Sequence, residues 1–190
     1  MNRIKNIILI TTACLTCLSC IKEKLEVTYN SQEQKIDQYI ESNRYVNRME
    51  EGVSIKDTLR VINSNGSNRL ITKEGTGESL SENGTIAFYY AGYIFNGSKS
   101  YSNLFATNHS ETAKNADWTL TDADYSLYMM NMRDARLLNG LRNGLTGVKS
   151  GEECQIIFSG KYGFGNKEFG IIPANSALLF EIWVESVSND

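Results

Sequence analysis

The chain has few of the residues that most enzymes use for acid–base and metal chemistry, with one histidine and one proline in 190 residues. A single imidazole cannot build a multi-histidine metal site, and a serine or cysteine nucleophile would have to pair with His109 alone. His109 lies in a polar stretch that is typical of a solvated loop. We therefore expect no metal ion, no cofactor and no histidine-based catalytic site.

Positive charge is not in excess either. The chain has 19 Lys and Arg residues against 22 Asp and Glu residues, a net charge of -3. A surface that binds nucleic acid normally needs clustered basic residues, so no nucleic-acid partner is predicted. The composition, 41% hydrophobic and 22% charged, is that of an ordinary globular protein. Its length suits one domain with extensions.

Cysteine is also scarce outside the N-terminal 20 residues, which hold three of the four. There Arg3 and Lys5 precede an apolar run from Ile7 to Leu18. The run is shorter than the roughly 20 residues of a membrane-spanning helix and is typical of an export signal. The fourth cysteine, Cys154, falls in a predicted strand, where it is expected to be a small buried apolar residue without a disulfide partner.

The apolar run ends in Cys17-Leu-Ser-Cys20, which resembles a bacterial lipobox. The resemblance implies a signal peptide over residues 1–19 and a diacylglycerol group on Cys20. The protein would then be exported and anchored to the cell envelope at the outer membrane. Whether it lies on the periplasmic side or on the cell surface is left open. Cys17 stands where an aliphatic residue is usual, so a soluble secreted protein cut elsewhere stays open as an alternative.

Residues 20–57 are mostly polar, with apolar side chains at a helical spacing only around Ile36, Tyr39 and Ile40. This pattern predicts a polar tether that contains one short helix docked on the domain, and a partner-binding helix stays open as an alternative. The domain itself is expected over residues 58–190.

Beyond Thr58 the hydrophobic pattern changes to the period of two that strands show. A hairpin is predicted around the Asn/Gly turn at Asn63–Asn68, and long strands are predicted at Thr85–Phe95 and Ala177–Val187. Trp118–Leu120 is a possible strand, and Tyr125–Met132 is expected to be a helix or an ordered loop. With one short helix at Leu141–Leu145, the pattern favours an antiparallel sheet packed on a helix, an α+β fold.

The last strand has apolar residues on both faces. Leu178, Phe180, Ile182 and Val184 alternate on one face, while Leu179 and Trp183 lie on the other. The second face would expose two large side chains unless another element covered it. The N-terminal segment is expected to do so.

Several short motifs follow one another in the second half of the chain. They are Tyr90-Ala-Gly92, Asn96-Gly97, Leu137-Leu-Asn-Gly-Leu-x-x-Gly-Leu145, Val148-Lys-Ser-Gly-Glu152, Tyr162-Gly-Phe-Gly165 and Ile171-Ile-Pro-Ala-Asn-Ser-Ala-Leu-Leu-Phe180. In this order and spacing they resemble the FKBP-type peptidyl-prolyl isomerases, over residues 75–187. The resemblance implies a twisted antiparallel sheet wrapped over a short helix, with an aromatic pocket between them.

The resemblance also implies the residues of the pocket. Tyr90, Leu138, Phe164 and Ile172 fall on positions of the catalytic cleft, with the backbone N–H of Leu138 holding a substrate carbonyl. Further pocket positions fall on Leu137, Leu141, Ile171 and Phe180, Leu141 being the floor where many members have Trp.

The chain departs from the family pattern at two places. Many members have Phe-Asp shortly after the glycine that corresponds to Gly97; here Tyr101 is expected to replace the Phe, which puts Ser102 in place of the Asp. Phe164 stands where many members have a tyrosine. The segment between Gly97 and Leu137 is also longer than in a minimal member, which predicts an enlarged flap over residues 98–136.

The implied activity is cis–trans isomerisation of X-Pro bonds in proline-containing polypeptides, assisting the folding of exported proteins. Uncatalysed X-Pro isomerisation takes ~10–100 s, slow enough to limit folding. The two departures leave open a non-catalytic module that binds a peptide or a protein in the same cleft. The oligomeric state is left open as well.

Overall fold

The computed structural model describes residues 2–50 and 53–189, and their side chains over residues 22–47 and 54–189. The helices are α1 (Asn2–Asn43), α2 (Ser110–Asn115) and α3 (Asn139–Leu145). The strands are β1 (Tyr45–Glu50), β2 (Val53–Thr58), β3 (Arg60–Ser64), β4 (Ser67–Lys73), β5 (Thr85–Ile94), β6 (Leu104–Thr107), β7 (Tyr128–Asn131), β8 (Glu153–Phe158) and β9 (Leu178–Ser188). Short 3-10 turns lie at Tyr101–Asn103, Asp122–Tyr125 and Gly160–Tyr162.

A seven-stranded antiparallel sheet forms the centre of the domain, in the order β3-β4-β8-β9-β5-β6, with β7 also paired to β5. The predicted α+β fold, an antiparallel sheet packed on a short helix, is confirmed. The predicted hairpin is β3–β4, in which Asn65 and Gly66 form the turn with φ of 45° and 82°. Positive φ at both positions is what a tight two-residue hairpin turn requires.

The free edge of β5 is shared by two strands. β6 pairs with its second half, with Ala91 opposite Thr107, and β7 pairs with its first half, with Phe88 opposite Tyr128. Residues 108–127 leave the sheet between these two pairings. Trp118–Leu120 is therefore not a strand, and the segment expected to be a helix or an ordered loop provides β7 instead, because its buried methionines alternate with exposed residues.

Helix α3 packs on one face of the sheet through two glycines one turn apart. A Cβ atom built on Gly140 would lie 2.2 Å from Cγ of Phe158, and one on Gly144 would lie 2.2 Å from Cγ2 of Ile156. Both neighbours are on β8. The backbone of α3 therefore lies directly against β8, where larger side chains would separate the two.

A buried ion pair fixes the C-terminal end of α3. Arg69 on β4 donates from Nη1 to the carbonyl oxygens of Gly144 (2.8 Å) and Thr146 (3.0 Å). Its Nε lies 3.4 Å from Oε1 of Glu152, and both side chains are almost fully buried. The cation thus meets the negative end of the helix.

Helix α1 covers the opposite face of the sheet. Ile36, Tyr39 and Ile40 are buried there in a second core with Phe95 and Leu179 among its members. The N-terminal segment therefore covers Leu179 as predicted. The helix is much longer than the short one predicted, and residues 45–50 and 53–58 form the antiparallel strands β1 and β2 where a tether was expected.

The export and lipidation predictions stay predictions. Cys20 falls within α1, and its side chain lies outside the described residues. Among the described residues, no helix is both long and apolar enough to span a membrane.

The lone histidine is not the solvated loop residue that was expected. His109 is half-buried and stacks flat on Trp183, with ring centroids 3.8 Å apart. Its Nδ1 also caps α2 by accepting from the N–H of Thr112 (3.4 Å). Burial lowers the pKa of the imidazole. Cys154 is buried as predicted, and burial raises the pKa of its thiol.

Candidate active site

An apolar cavity of about 410 Å³ lies between α3, the shared edge of β5 and the loop after β8. Most of its lining is aromatic or aliphatic. The lining residues are Phe88, Tyr90, Phe105, Ala106, Tyr128, Met130, Asp134, Arg136, Leu137, Leu138, Leu141, Phe164, Phe169 and Phe180.

The floor of the cavity combines helix and sheet. Leu141 of α3 is buried, and Phe180 of β9 lies beside it in the same core. Phe180 stacks on Phe158 (6.0 Å between centroids) and meets Phe105 edge-on (5.7 Å). A Cβ atom on Gly92 would lie 2.5 Å from Cζ of Phe105, so this glycine makes room for the Phe105 ring.

Tyr90 and its neighbours form one wall. The rings of Phe88, Tyr90 and Tyr128 pack against one another at tilted or edge-on angles, with centroids 5.5–6.1 Å apart. Burial, and to a smaller extent the nearby Tyr128, raises the pKa of Tyr90. The Tyr90 hydroxyl therefore stays protonated at neutral pH, as a hydrogen-bond donor with no charge.

Asn108 holds this wall in place from behind. Its Oδ1 accepts from the backbone N–H of Tyr90 (2.6 Å), and its Nδ2 donates to the carbonyl oxygen of Ser126 (2.9 Å). The side chain is buried. One amide thus ties β5 to the segment that leads into Tyr128.

Leu138 supplies an unpaired backbone donor. It precedes the first residue of α3, with φ of -57° and ψ of 137°. Its carbonyl oxygen accepts from the N–H of Arg142, but within the described part of the chain its own N–H has no hydrogen-bond partner. The N–H groups at a helix start have no partner within the helix and remain available to an acceptor.

The loop after β8 forms the opposite wall. Phe164 stacks face to face on Phe169, with centroids 4.8 Å apart and planes 7° apart. Phe169 is 63% exposed, so it extends the wall out towards solvent. The cavity therefore has an apolar mouth as well as an apolar floor.

Charge is confined to the rim. Asp134 and Arg136 form an ion pair (2.7 Å), and the hydrogen bond from Arg136 lowers the pKa of Asp134 to about 2. Among the described residues, no group of three or more His, Cys, Asp or Glu side chains could hold a metal ion. The cavity can therefore bind an apolar group and a carbonyl oxygen, and it offers neither an acid–base pair nor a nucleophile.

Comparison with known proteins settles which family has this arrangement. The family model described as FKBP-type peptidyl-prolyl cis-trans isomerase matches residues 77–185, more than half of the chain. The chain belongs to the FKBP-type peptidyl-prolyl cis-trans isomerase family. FKBP-type members catalyse peptidyl-prolyl isomerisation, and the predicted family and enzyme class are thereby confirmed.

Individual relatives are distant. FK506-binding protein 1 of Aspergillus oryzae is 27% identical over 117 residues, which cover 62% of this chain and 94% of that protein. FKBP-type peptidyl-prolyl cis-trans isomerase FkpA of Buchnera aphidicola is 24% identical over 166 residues, covering 87% of this chain and 57% of that protein. The chain therefore spans little more than half the length of the FkpA relative.

Solved structures share the fold. The three FKBP domains of wheat FKBP73 align with a TM-score of 0.54 at 19% identity, covering 73% of this chain and 53% of that one. A multi-domain immunophilin from Arabidopsis thaliana aligns with a TM-score of 0.51 at 20% identity, covering 68% and 46%. At these identities the alignments establish the FKBP fold alone.

The structure brings most of the FKBP positions named from the sequence to the cavity. Tyr90, Leu137, Leu138, Leu141, Phe164 and Phe180 all line it. Their parts in substrate binding and catalysis stay predictions.

The predicted pocket positions of Tyr101 and Ser102 are wrong. Both are exposed, and neither lines the cavity. They belong to a 3-10 turn capped by Ser100, which delays the start of β6 to Leu104. The aromatic position of the FKBP pattern therefore falls on Phe105 and the next position on Ala106. The family's carboxylate is still missing, but alanine rather than serine replaces it.

Ile171 and Ile172, also predicted at the site, do not line the cavity. Ile171 is 66% exposed on the loop, whereas Ile172 is buried in the core next to the cavity. The backbone of Ile172 pairs with Phe169 in an antiparallel bridge, which turns consecutive side chains to opposite sides. Phe169, at the other end of this turn, is the residue that reaches the cavity.

Eight lining residues were not among the predicted site residues, namely Phe88, Phe105, Ala106, Tyr128, Met130, Asp134, Arg136 and Phe169. Phe88 is two residues before Tyr90 on β5, where alternation indicates only a buried position. Phe105 could have been found by allowing an insertion after Gly97. Tyr128, Met130, Asp134, Arg136 and Phe169 lie on the enlarged flap or on a loop, where no motif of the sequence names a position in the cavity.

Proposed function

We propose that this chain catalyses cis–trans isomerisation of X-Pro bonds and that the apolar cavity is the site of catalysis. The observation that carries the proposal is an aromatic cavity whose lining includes Leu138, with an N–H that is unpaired among the described residues. A proline ring would enter the cavity, and the preceding carbonyl oxygen would accept from Leu138.

The chemistry needs no titratable group. Rotation about the amide bond faces a barrier of ~18–20 kcal/mol, because resonance gives the C–N bond partial double-bond character. The planar ground state is more polar than the twisted transition state, so an apolar cavity favours twisting. Each ~1.4 kcal/mol gained in this way raises the rate tenfold.

A protease-coupled assay on a tetrapeptide with a Leu-Pro bond tests the proposal directly. We expect micromolar protein to accelerate the slow phase well above the buffer rate. The missing carboxylate at Ala106 motivates one alternative, a non-catalytic module that binds peptides without regard to proline. A buffer-like slow phase together with proline-independent peptide binding would favour that alternative.

Substitution of Leu138 by proline is expected to show the contribution of its backbone N–H to catalysis separately from that of its side chain. Proline removes the N–H, and its φ near -65° is compatible with the observed -57°. Loss of one hydrogen bond costs ~0.5–1.5 kcal/mol, so kcat/KM should fall about two- to thirteenfold below that of Leu138→Ala, which keeps the N–H. Thermal unfolding of both variants controls for folding. Equal kcat/KM in two folded variants would contradict the role of this N–H.

We further propose that the protein is exported and anchored to the cell envelope through Cys20, where it would act on exported polypeptides. The lipobox-like sequence and the apolar run before it support this. The full chain expressed in a bacterium with labelled palmitate is expected to carry the label in the membrane fraction. Cys20→Ser should abolish labelling, whereas the buried Cys154 replaced by Ala should leave it unchanged. An unlabelled, freely soluble full chain would contradict the proposal.

A further inference from the structure

The cavity wall formed by Phe164 and Phe169 is part of a long loop that connects β8 to β9. The two ends of this loop meet, because a Cβ atom on Gly160 would lie 2.2 Å from the carbonyl oxygen of Asn175. Inside the loop, the N–H of Asn175 donates to the carbonyl oxygen of Gly165 (2.5 Å). The position of the two phenylalanines therefore depends on what holds these ends together.

Gln32 of helix α1 hydrogen-bonds to both ends at once. Its Nε2 donates to the carbonyl oxygen of Asn175 (2.7 Å), and its Oε1 accepts from the N–H of Gly160 (2.9 Å). Tyr29, one turn earlier, donates from its hydroxyl to Oδ1 of Asn175 (2.6 Å). A primary amide is the side-chain group that can both donate and accept in this way.

These contacts come from outside the part of the chain that matches the family model, residues 77–185. Helix α1 docks independently of Gln32, because Ile36, Tyr39 and Ile40 are buried against the sheet. Loss of the Gln32 amide would therefore leave α1 in place and loosen the loop ends, although Tyr29 still donates to Asn175 and the pairing of Phe158 with Leu178 still holds the base of the loop.

We infer that Gln32 is a positioning residue for the isomerase site, which it serves by holding closed the loop that carries Phe164 and Phe169. The inference rests on the proposed function. A loop that opens part of the time leaves only a fraction of molecules competent to bind, and the apparent affinity falls by that fraction. Loss of Gln32 should therefore raise KM and leave kcat unchanged.

The test compares Gln32→Ala with Gln34→Ala in the full chain. Gln34 is exposed on the same helix, which makes it a matched control. For Gln32→Ala we expect a KM about three- to tenfold higher for a Leu-Pro tetrapeptide, as follows if loss of the two hydrogen bonds leaves the loop closed in only about a tenth to a third of the molecules. Gln34→Ala should match the wild type. Gln32→Glu keeps the acceptor for Gly160 but sets a carboxylate oxygen against the carbonyl oxygen of Asn175, so its KM should rise as well.

Hydrogen exchange provides a readout that does not depend on catalysis. The amide of Gly160 donates directly to Gln32, so it should exchange faster in Gln32→Ala and not in Gln34→Ala. Faster exchange with an unchanged KM would overturn the positioning role. Unchanged exchange would show that Gln32 does not hold the loop closed.

Failure of the proposed function would look different. If the wild type showed no catalysis, the dissociation constant of the same tetrapeptide would replace KM, and the same three- to tenfold rise in Gln32→Ala would support the inference. A wild type that neither catalyses nor binds the peptide would overturn both proposals, whatever the exchange rates.

Discussion

Replacement of Arg69 by methionine is expected to lower the free energy of unfolding by about 3–5 kcal/mol, the usual cost of removing one partner from a buried ion pair. The variant leaves the Glu152 carboxylate buried without its counter-charge. It also removes the donor for the carbonyl oxygens of Gly144 and Thr146 at the end of α3. Urea denaturation at pH 7.5 measures the loss.

The loss should depend on pH. Burial raises the pKa of Glu152 above its ordinary value of 4.5, and the charge of Arg69 opposes that rise. A carboxyl whose pKa is raised by folding takes up a proton on folding, so its contribution to stability is full below pH 4.5 and is lost as the pH rises through the folded value. Without Arg69 the folded pKa rises further. Arg69→Met should therefore lose more stability at pH 7.5 than at pH 4.5.

The matched control is the double variant Arg69→Met with Glu152→Leu. Replacing both charges by apolar side chains removes the uncompensated carboxylate, so the double variant should recover at least half of the lost stability. If the free energy of unfolding of Arg69→Met alone is within about 1 kcal/mol of the wild-type value, the pair does not have the stabilising role assigned to it.

Substitution of Gly140 by valine is expected to lower the free energy of unfolding by about 3 kcal/mol, at the upper end of what overpacking costs. The new Cβ would overlap the ring of Phe158, which is fully buried and cannot move into solvent. Helix α3 must then move away from β8 and take Leu138 and Leu141 with it. We expect isomerase activity to fall at least tenfold even at temperatures where the variant is folded.

The control for this prediction is Asn139→Val. Asn139 is the neighbouring residue of α3 and is exposed, so valine there changes helix propensity by a few tenths of a kcal/mol and overlaps nothing. Circular dichroism during thermal unfolding and the protease-coupled assay check both variants. A Gly140→Val protein as stable as Asn139→Val would show that α3 does not need this close approach.

The sheet and its core could be predicted from the sequence because their signals are local. Alternation along β5 and β9 indicated which side chains face α3, and the Asn65–Gly66 turn identified the hairpin. The glycines of α3 belong to a recognisable motif, but the motif does not explain why glycine is needed. Gly140 and Gly144 are one turn apart and both lie directly against β8. Spacing alone does not name the strand they meet.

The rest depended on contacts between distant parts of the chain. Motif spacing places the aromatic position of the cavity on Tyr101, because the 3-10 turn that shifts it to Phe105 has no strong sequence signal. Gln32 contacts Gly160, which is 128 positions away in the sequence, and Asn175, which is 143 positions away. No periodicity within α1 could indicate which loop its polar residues would reach.

The divided edge of β5 has a consequence for protein engineering. Residues 108–127 leave and rejoin the sheet beside neighbouring positions of one strand, so the two ends of this excursion are already close together. Doubling the length of a flexible segment with fixed ends costs only ~0.6 kcal/mol of closure entropy. A foreign recognition sequence could therefore be grafted at the exposed Asp122–Tyr125 turn, between α2 and β7, at small cost to folding.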